Sequence, residues 1–501
     1  MAKSPILLVS AFVVLSALHT QANRPNILYI YTDDQSDRTV SSYERSLPWV
    51  STPNIDKLAD SGVRFQYAYT GTWCMPSRAT FLTGHLQYGV QSMRMEGQYP
   101  MSNYDPDQCP FWMSSFKEAG YTTAHIGKWH TGTDTGFGRD WDYQIVWNRP
   151  KFPKNSGAYY YDQMMSFNGG PDVMVPGYTT DNYTKWAVEY IEGKGRDEAK
   201  PWLLWLCYSA THGPFTPADR HKDTIPEDVE VPVPVDIFPP RPGKPKYVQE
   251  RAGYRKGDDG KPYVQNRPGN GWEHSEGVIT YQESAMGLDE GVGALIETLR
   301  RTGQLDKTLI IYTADQGFAW GQHGFQHKIA PYDANIASPF IVSYPGVVPG
   351  GKVSSTPIGG QDVVPTLFHY AGIALPWEMH GEDISPLIQN PEQKSDHAVL
   401  LTYTGREYGT DTVKNMPADG LDPNGGIAWW VSYRIHQYKY IVTLVPGEIE
   451  ELYDLDKDPD ELINLALDPD YSETLSKLRS AAIEELKRTD CPFVDKLPSN
   501  S

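Results

Sequence analysis

The chain has 501 residues, 39% of them hydrophobic and 21% charged, with a formal net charge of -19. That length is enough for one large core and a second unit, and the acidic balance argues against nucleic acid as a partner, because phosphate binding needs an excess of Lys and Arg on some face. Any anionic substrate must be drawn in by local basic groups.

At the start, Lys3 precedes an apolar run from Ile6 to Leu18 that ends near the small residue Ala22. This is the pattern of a secretory signal peptide over residues 1–22, with an uncleaved anchor as the alternative. The run is short for a membrane span and no later stretch looks like one, so the expectation is a secreted or periplasmic protein without stable membrane insertion. Cys74, Cys109, Cys207 and Cys491 are the only cysteines. They allow no disulfide framework.

The following residues, Pro25 to Thr32, form a continuous apolar, β-branched and aromatic run ending in Asp33-Asp34. Such a run fits a strand buried on both faces, and two adjacent carboxylates at its end repel each other unless a cation lies between them. Thr52-Pro53 to Gly62 carries helix start and stop signals, with Ile55, Leu58 and Ala59 as its apolar face. Gly71 to Gly84 then places Cys74 before Pro76 and Arg78. A helix starting there would favour the thiolate through its dipole and the nearby cation.

Two further runs end in basic groups. Tyr121 to Gly127 leads into Lys128-Trp129-His130, and Trp202 to Ser209 leads to His212-Gly213-Pro214. Residues 226–271 are rich in proline, glycine and charge and read as a surface insertion whose lysines and arginines face solvent or an anionic substrate. A long helix is expected over Ile279 to Arg301, and a second buried strand, Thr308 to Ala314, runs into Asp315-Gln316. In an open α/β sheet, functional groups gather at the carboxyl ends of strands, so Asp33, Asp34, Asp315 and Gln316 are expected to converge. Oxygen-only ligation of this kind favours Ca²⁺, with Mg²⁺ as the runner-up. Beyond Pro386, three antiparallel strands and a closing helix over Ser472 to Lys487 form a smaller unit.

The segment Cys74-Met75-Pro76-Ser77-Arg78, followed by Thr83-Gly84, resembles the signature of the formylglycine-dependent sulfatases, most like secreted bacterial carbohydrate sulfatases. The resemblance extends to Gly-Lys-x-His at Lys128 and His130, His-x-Pro at His212, and Lys328. It implies an alkaline-phosphatase-like α/β fold, a mainly parallel sheet sandwiched by helices, with a smaller C-terminal α+β subdomain containing an antiparallel sheet. The expected division is 1–22 signal peptide, 23–385 catalytic domain and 386–501 C-terminal subdomain. The resemblance further implies conversion of Cys74 to formylglycine by a maturation enzyme, and a metal held by Asp33, Asp34, Asp315 and Gln316 with position 74 beside them. Gln316 stands where Asn is commonest in the family. Arg78 would orient the aldehyde hydrate, Lys128 bridge it to sulfate, His212 with Lys328 protonate the leaving alcohol, and His130 assist the elimination. The substrate implied is a sulfated small molecule or glycan. Trp73, His85, Trp147, Trp320 and Arg406 are candidates for the pocket wall, while His125, His323 and His327 read as structural. The alternatives are a phosphonate monoester hydrolase or phosphodiesterase, and a non-catalytic binding protein retaining the fold.

Overall fold

The computed structural model describes residues 24–97, 100–265, 272–418, 421 and 426–499. The proposed signal peptide lies outside them. Among the described residues, no helix is long and apolar enough to cross a membrane.

Ten strands form the main sheet. In chain order they are β1 (Asn26–Thr32), β2 (Val63–Phe65), β3 (Thr122–Lys128), β4 (Tyr143–Trp147), β5 (Tyr161–Phe167), β6 (Asp172–Tyr178), β7 (Trp202–Cys207), β8 (Thr308–Ala314), β9 (Phe340–Ser343) and β10 (Lys352–Ser354). Their spatial order is β10-β2-β9-β8-β1-β7-β3-β4-β5-β6. The central run from β8 to β4 is parallel throughout. Antiparallel partners flank it on both sides, β9 against β8 and the β5–β6 pair against β4. The expected mainly parallel sheet is therefore its centre, where both faces are covered.

Alternation along β1 shows why that strand reads as uninterrupted apolar sequence. Leu28 and Ile30 enter one core with Ile55 and Leu58 of helix α1 (Pro53–Asp60), Tyr183 of α3 (Thr179–Ile191) and Leu288 of α4 (His274–Arg301). Ile27, Tyr29 and Tyr31 enter the opposite core with Phe81 of α2 (Cys74–Thr83) and Leu367 of α5 (Val363–Ala371). A strand buried on both faces has no solvent side to carry polar residues. Helix α4 begins earlier than the apolar stripe alone predicts, because Glu273 caps it by accepting from the Ser275 backbone N–H. Thr52 precedes α1 as expected, but its hydroxyl donates to the Asp56 carboxylate instead of capping the helix backbone.

The smaller unit is a four-stranded antiparallel sheet of β11 (Ala398–Tyr403), β12 (Trp430–Ile435), β13 (Tyr438–Thr443) and β14 (Glu451–Asp454), covered by α6 (Ser472–Arg488). Its core is continuous with Trp73 and Met75 beside the start of α2. A buried ionic cluster joins it to the loop after Lys328. Asp333 accepts from Lys439 at 2.8 Å and pairs with Arg434 at 3.3 Å, while Lys439 also reaches Glu461 at 2.8 Å.

The insertion differs from its sequence reading. It contains a hairpin of Tyr254–Lys256 and Pro262–Val264, and two of its cations turn inward. Arg241 is buried and donates to the carbonyls of Asp236, Ile237, Val248 and Arg251. Lys244 is buried over the rings of Tyr332 and Tyr453, donates to the Tyr453 hydroxyl at 2.6 Å, and lies 3.6 Å from Glu451. Proline and charge predicted a solvated excursion; the carbonyls and carboxylates inside the fold compensate these two charges instead.

His397, just before β11, contacts Asp362 at 3.0 Å and Glu382 at 3.3 Å. Burial favours its neutral form, but the two carboxylates outweigh that and raise its pKa to about 9 from 6.5. A folded pKa above the unfolded one stabilises the fold fully below pH 6.5, and that contribution is lost as pH rises through 9. His397→Gln is therefore expected to destabilise the protein by on the order of 3 kcal/mol near pH 6 and by much less near pH 10, measured by denaturant unfolding at both pH values.

Candidate active site

Five neighbouring parallel strands, β8, β1, β7, β3 and β4, deliver the site from their carboxyl ends. The register pairs Thr32 with Ala314, which sets Asp33 beside Asp315. The Asp315 N–H donates to the Thr32 carbonyl at 3.0 Å, and the Asp34 N–H donates to Asp315 Oδ1 at 2.9 Å. Asp34 takes the left-handed conformation with φ 58°, costly for a non-glycine residue and secured on both sides. Its carbonyl accepts from Tyr281 at 2.6 Å and from Thr211 at 3.1 Å.

Cys74 is the first residue of α2 and is 1% exposed. Its Sγ lies 3.3 Å from Asp33 Oδ1 and 3.0 Å from Lys328 Nζ. The expected activation of the thiol does not occur. Burial and the Asp33 charge push it up to about 12, outweighing Lys128 and Lys328. Arg78 donates to Asp315 Oδ2 at 3.1 Å and to the Lys128 carbonyl at 3.0 Å. At this position a helix start and nearby cations lose to desolvation and the carboxylates of Asp33 and Asp315.

The donor atoms of Asp33, Asp34, Cys74 and Asp315 lie within 4.8 Å of one another, all buried. Gln316 is also buried; its Nε2 donates to Asp34 while its Oε1 has no hydrogen-bond partner. Three carboxylates and an orphaned amide oxygen in one dry pocket suit a hard divalent cation. The charges in place compensate unevenly. Asp33 is held well below the usual carboxylate range, since Lys128, His212 and Arg78 overcome its burial. Asp315 is raised to about 7 by burial and by Asp33, against Arg78 and Lys128. Asp34 is also raised, by burial, with Lys328 opposing. Lys328 forms an ion pair with Asp34, and Lys128 with Asp33.

Both predicted histidines are here. His212 Nδ1 lies 2.7 Å from the Gly213 carbonyl, an acceptor only, so Nδ1 carries a proton. Nε2 faces Asp34 Oδ2 at 3.6 Å and the Tyr159 hydroxyl at 3.1 Å. The imidazole stacks on Tyr159 with ring centroids 3.8 Å apart. His130 has φ 75° and is fully buried. Burial and the adjacent Arg149, whose Nη1 is 3.0 Å from Nε2, hold it well below its ordinary pKa and therefore neutral.

Sequence reasoning missed Arg149 and Tyr159. Arg149 lies two residues past the end of β4 as His130 lies two past the end of β3, so its place after a strand terminus was the available signal; the local sequence around Tyr159 carries none. Arg149 lies over the Tyr159 ring at 4.9 Å and the Trp147 ring at 5.6 Å. Of the candidate wall residues, Trp147 packs on Tyr159 and Trp73 precedes Cys74 at the start of α2. Trp320 lines a separate cavity, and His85 faces Cys109 and the Glu378 carbonyl. Arg406 lies in the loop after β11. His125 is enclosed by Trp129, Trp141 and Trp205, as a core residue would be. All four cysteines are free thiols, so the structure contains no disulfide among its described residues.

The Sulfatase family model matches residues 25–373, and the N-sulphoglucosamine sulphohydrolase C-terminal model matches residues 321–489. The chain is 27% identical to the N-acetylglucosamine-6-O-sulfatase of Bacteroides thetaiotaomicron, an alignment covering 93% of this chain and 87% of that one. Among solved structures, BT4656 in complex with its substrate D-glucosamine-2-N,6-O-disulfate superposes with a TM-score of 0.77 at 24% identity, covering 94% of this chain and 99% of that one. The phosphonate monoester hydrolase of Agrobacterium radiobacter gives 0.67 at 21% identity, covering 93% of this chain and 96% of the other. At those identities the two structures show a shared fold. The family model spans most of the chain and includes every residue gathered at the five strand ends, and on that ground the protein belongs to the sulfatase family and is a sulfuric ester hydrolase.

Proposed function

We propose that the protein removes sulfate from a sulfated carbohydrate after conversion of Cys74 to formylglycine, with Ca²⁺ as its metal. The observation that supports this reading is the position of Cys74: its Sγ lies 3.3 Å from Asp33 Oδ1 and 3.0 Å from Lys328 Nζ, at the focus of the strand-end carboxylates and within the segment matched by the Sulfatase family. A formylglycine hydrate at that position supplies two hydroxyls, one to attack sulfur and one whose deprotonation expels sulfate and regenerates the aldehyde. Asp33, Asp34, Asp315 and Gln316 would hold the metal, which supplies positive charge against the sulfate oxygens and the hydrate.

The remaining roles belong to side chains of the chain itself. Lys128 and Lys328 add positive charge on two sides of position 74, and Arg78 braces Asp315. His212 commits its Nδ1 proton to Gly213 and is held well below its ordinary pKa by burial and Lys328, so Nε2 faces the leaving alcohol without a proton of its own; the pair of His212 and the protonated Lys328 would together serve as the acid, Nε2 relaying the proton. His130, neutral beside Arg149, is suited to take the proton that starts the elimination. The carbohydrate preference rests on the glucosamine-directed relatives. The division at residues 22 and 385 belongs to the same reading, and the four-stranded sheet that begins at Ala398 supports it. Export after signal-peptide cleavage is likewise part of the proposal.

Three tests follow from these assignments. Protein co-produced with a formylglycine-generating enzyme should carry an aldehyde at position 74 by mass spectrometry and release sulfate from 6-O-sulfated glucosamine faster than it cleaves a phosphonate monoester; an unmodified Cys74 in fully active protein overturns the nucleophile. Chelation should abolish turnover, with Ca²⁺ restoring more of it than Mg²⁺. His212→Ala should cost roughly 10²–10⁴-fold on a sugar sulfate, whose alcohol leaves poorly, but much less on 4-nitrophenyl sulfate, whose phenolate needs no proton; equal losses on both would remove His212 from the acid role.

A further inference from the structure

A cavity of about 400 Å³ lies apart from the strand-end site, walled by the 36–50 loop, residues 231–236 of the insertion, the start of α4 and residues 459–462 of the C-terminal unit. Its wall is mainly apolar, with Trp49, Val233, Val278, Trp320 and Leu462 among the contributors. The Trp49 indole donates to the Glu230 carbonyl at 2.9 Å, which ties the insertion to the rim. Tyr281 forms part of the wall and also donates to the Asp34 carbonyl, so this cavity backs onto the loop that carries a candidate metal ligand.

The charges on the wall are not equivalent. Arg45 is committed to Asp37 at 2.7 Å, and Asp236 to His323 at 2.7 Å. Arg38 and Asp460 remain, and among the described residues neither forms an ion pair within 4 Å. Asp460 is exposed and solvated, whereas Arg38 is half-buried; burial and the neighbouring Arg45 outweigh the charges of Asp37, Asp460 and Asp333, so its positive charge is only partly compensated. A partly desolvated guanidinium with five donors beside an apolar wall is an incomplete arrangement.

Several polar groups of the wall are already used, whereas Trp320 Nε1 and His274 Nδ1, on two residues of the same wall, are buried without a hydrogen-bond partner among the described residues. Gln322 accepts from the Trp320 N–H at 2.8 Å, Gln282 donates to the Thr39 carbonyl at 3.2 Å, and the Thr39 hydroxyl donates to the Ser36 carbonyl at 2.8 Å. What is left is the Arg38 cation, the solvated Asp460, two ring nitrogens and a set of rings and aliphatic side chains, which matches a ligand with one acid group on a largely aromatic body.

We propose that this cavity is a binding site for a small organic anion with an aromatic body, its acid group on Arg38 and its rings against the wall containing Trp49 and Trp320. The inference stands independently of the substrate assigned above.

Fluorescence titration of the full chain with 1-anilinonaphthalene-8-sulfonate and with its uncharged counterpart N-phenyl-1-naphthylamine tests it. Saturable binding of the sulfonate is expected, weakened about tenfold or more by Arg38→Gln, with the uncharged probe unaffected by that change. Val278→Trp, which fills the cavity, should abolish binding of both, and unchanged thermal midpoints would show that each variant is folded. Arg38→Gln sits at the half-exposed rim and keeps the test decisive if the filling variant fails to fold. Undiminished sulfonate binding in Arg38→Gln, or in folded Val278→Trp, overturns the proposal. So does Arg38-dependent displacement of the probe by 6-O-sulfated glucosamine, which would make the cavity a sugar site.

Discussion

Three carboxylates share one dry pocket, and most of the surrounding structure can be understood as the means of keeping them there. Asp33, Asp34 and Asp315 are each 0–1% exposed and lie at the ends of adjacent parallel strands. Moving such charges out of water costs several kcal/mol per ion on the order of magnitude seen in proteins, and their mutual repulsion adds to it. Lys128, Lys328 and Arg78 oppose that cost from three sides without cancelling it, which is why Asp315 is raised to about 7. The residual negative potential is what suits the pocket to a metal ion and what makes a thiolate at position 74 unfavourable.

The same constraint explains the backbone. Asp34, His130 and the β-branched Ile329 next to Lys328 all adopt positive φ, with values of 58°, 75° and 88°. Such conformations persist only where neighbours hold them, and here each has a restraint nearby. Tyr281 and Thr211 hold the Asp34 carbonyl, Arg149 packs against the His130 ring, and the Trp430 indole donates to the Ile329 carbonyl at 2.8 Å.

That last contact gives the C-terminal sheet a part in the site. Trp430 on β12 grips Ile329, the residue after Lys328, and four residues further on Asp333 is fixed by Arg434 and Lys439 from β12 and β13. The loop that presents Lys328 to Asp34 is thus anchored by the smaller unit, and Lys244 of the insertion enters the same polar region through Glu451. Charge pairing inside the protein carries the information about where Lys328 stands.

Local pattern was sufficient for the buried strands, for the Asp33-Asp34 and Asp315-Gln316 endings, and for the Cys-x-Pro-Ser-Arg segment, because period-two burial and strand-end placement are short-range properties of the chain. The central sheet was legible on that basis, whereas the grouping of Cys74, Lys128, His130, His212 and Lys328 and the structural reading of His125 came from the family resemblance of short motifs. Tertiary structure decided the rest. Arg149 and Tyr159 come from a strand end and a loop with no shared motif, and only packing brings their side chains against His130 and His212. Arg241 and Lys244 sit among prolines and look solvated until the carbonyls and carboxylates of distant segments surround them. The thiol of Cys74 looks activated from its helix start and Arg78, yet burial beside Asp33 reverses that. Electrostatic balance depends on which groups lose water together, a property of the folded molecule that no stretch of sequence contains.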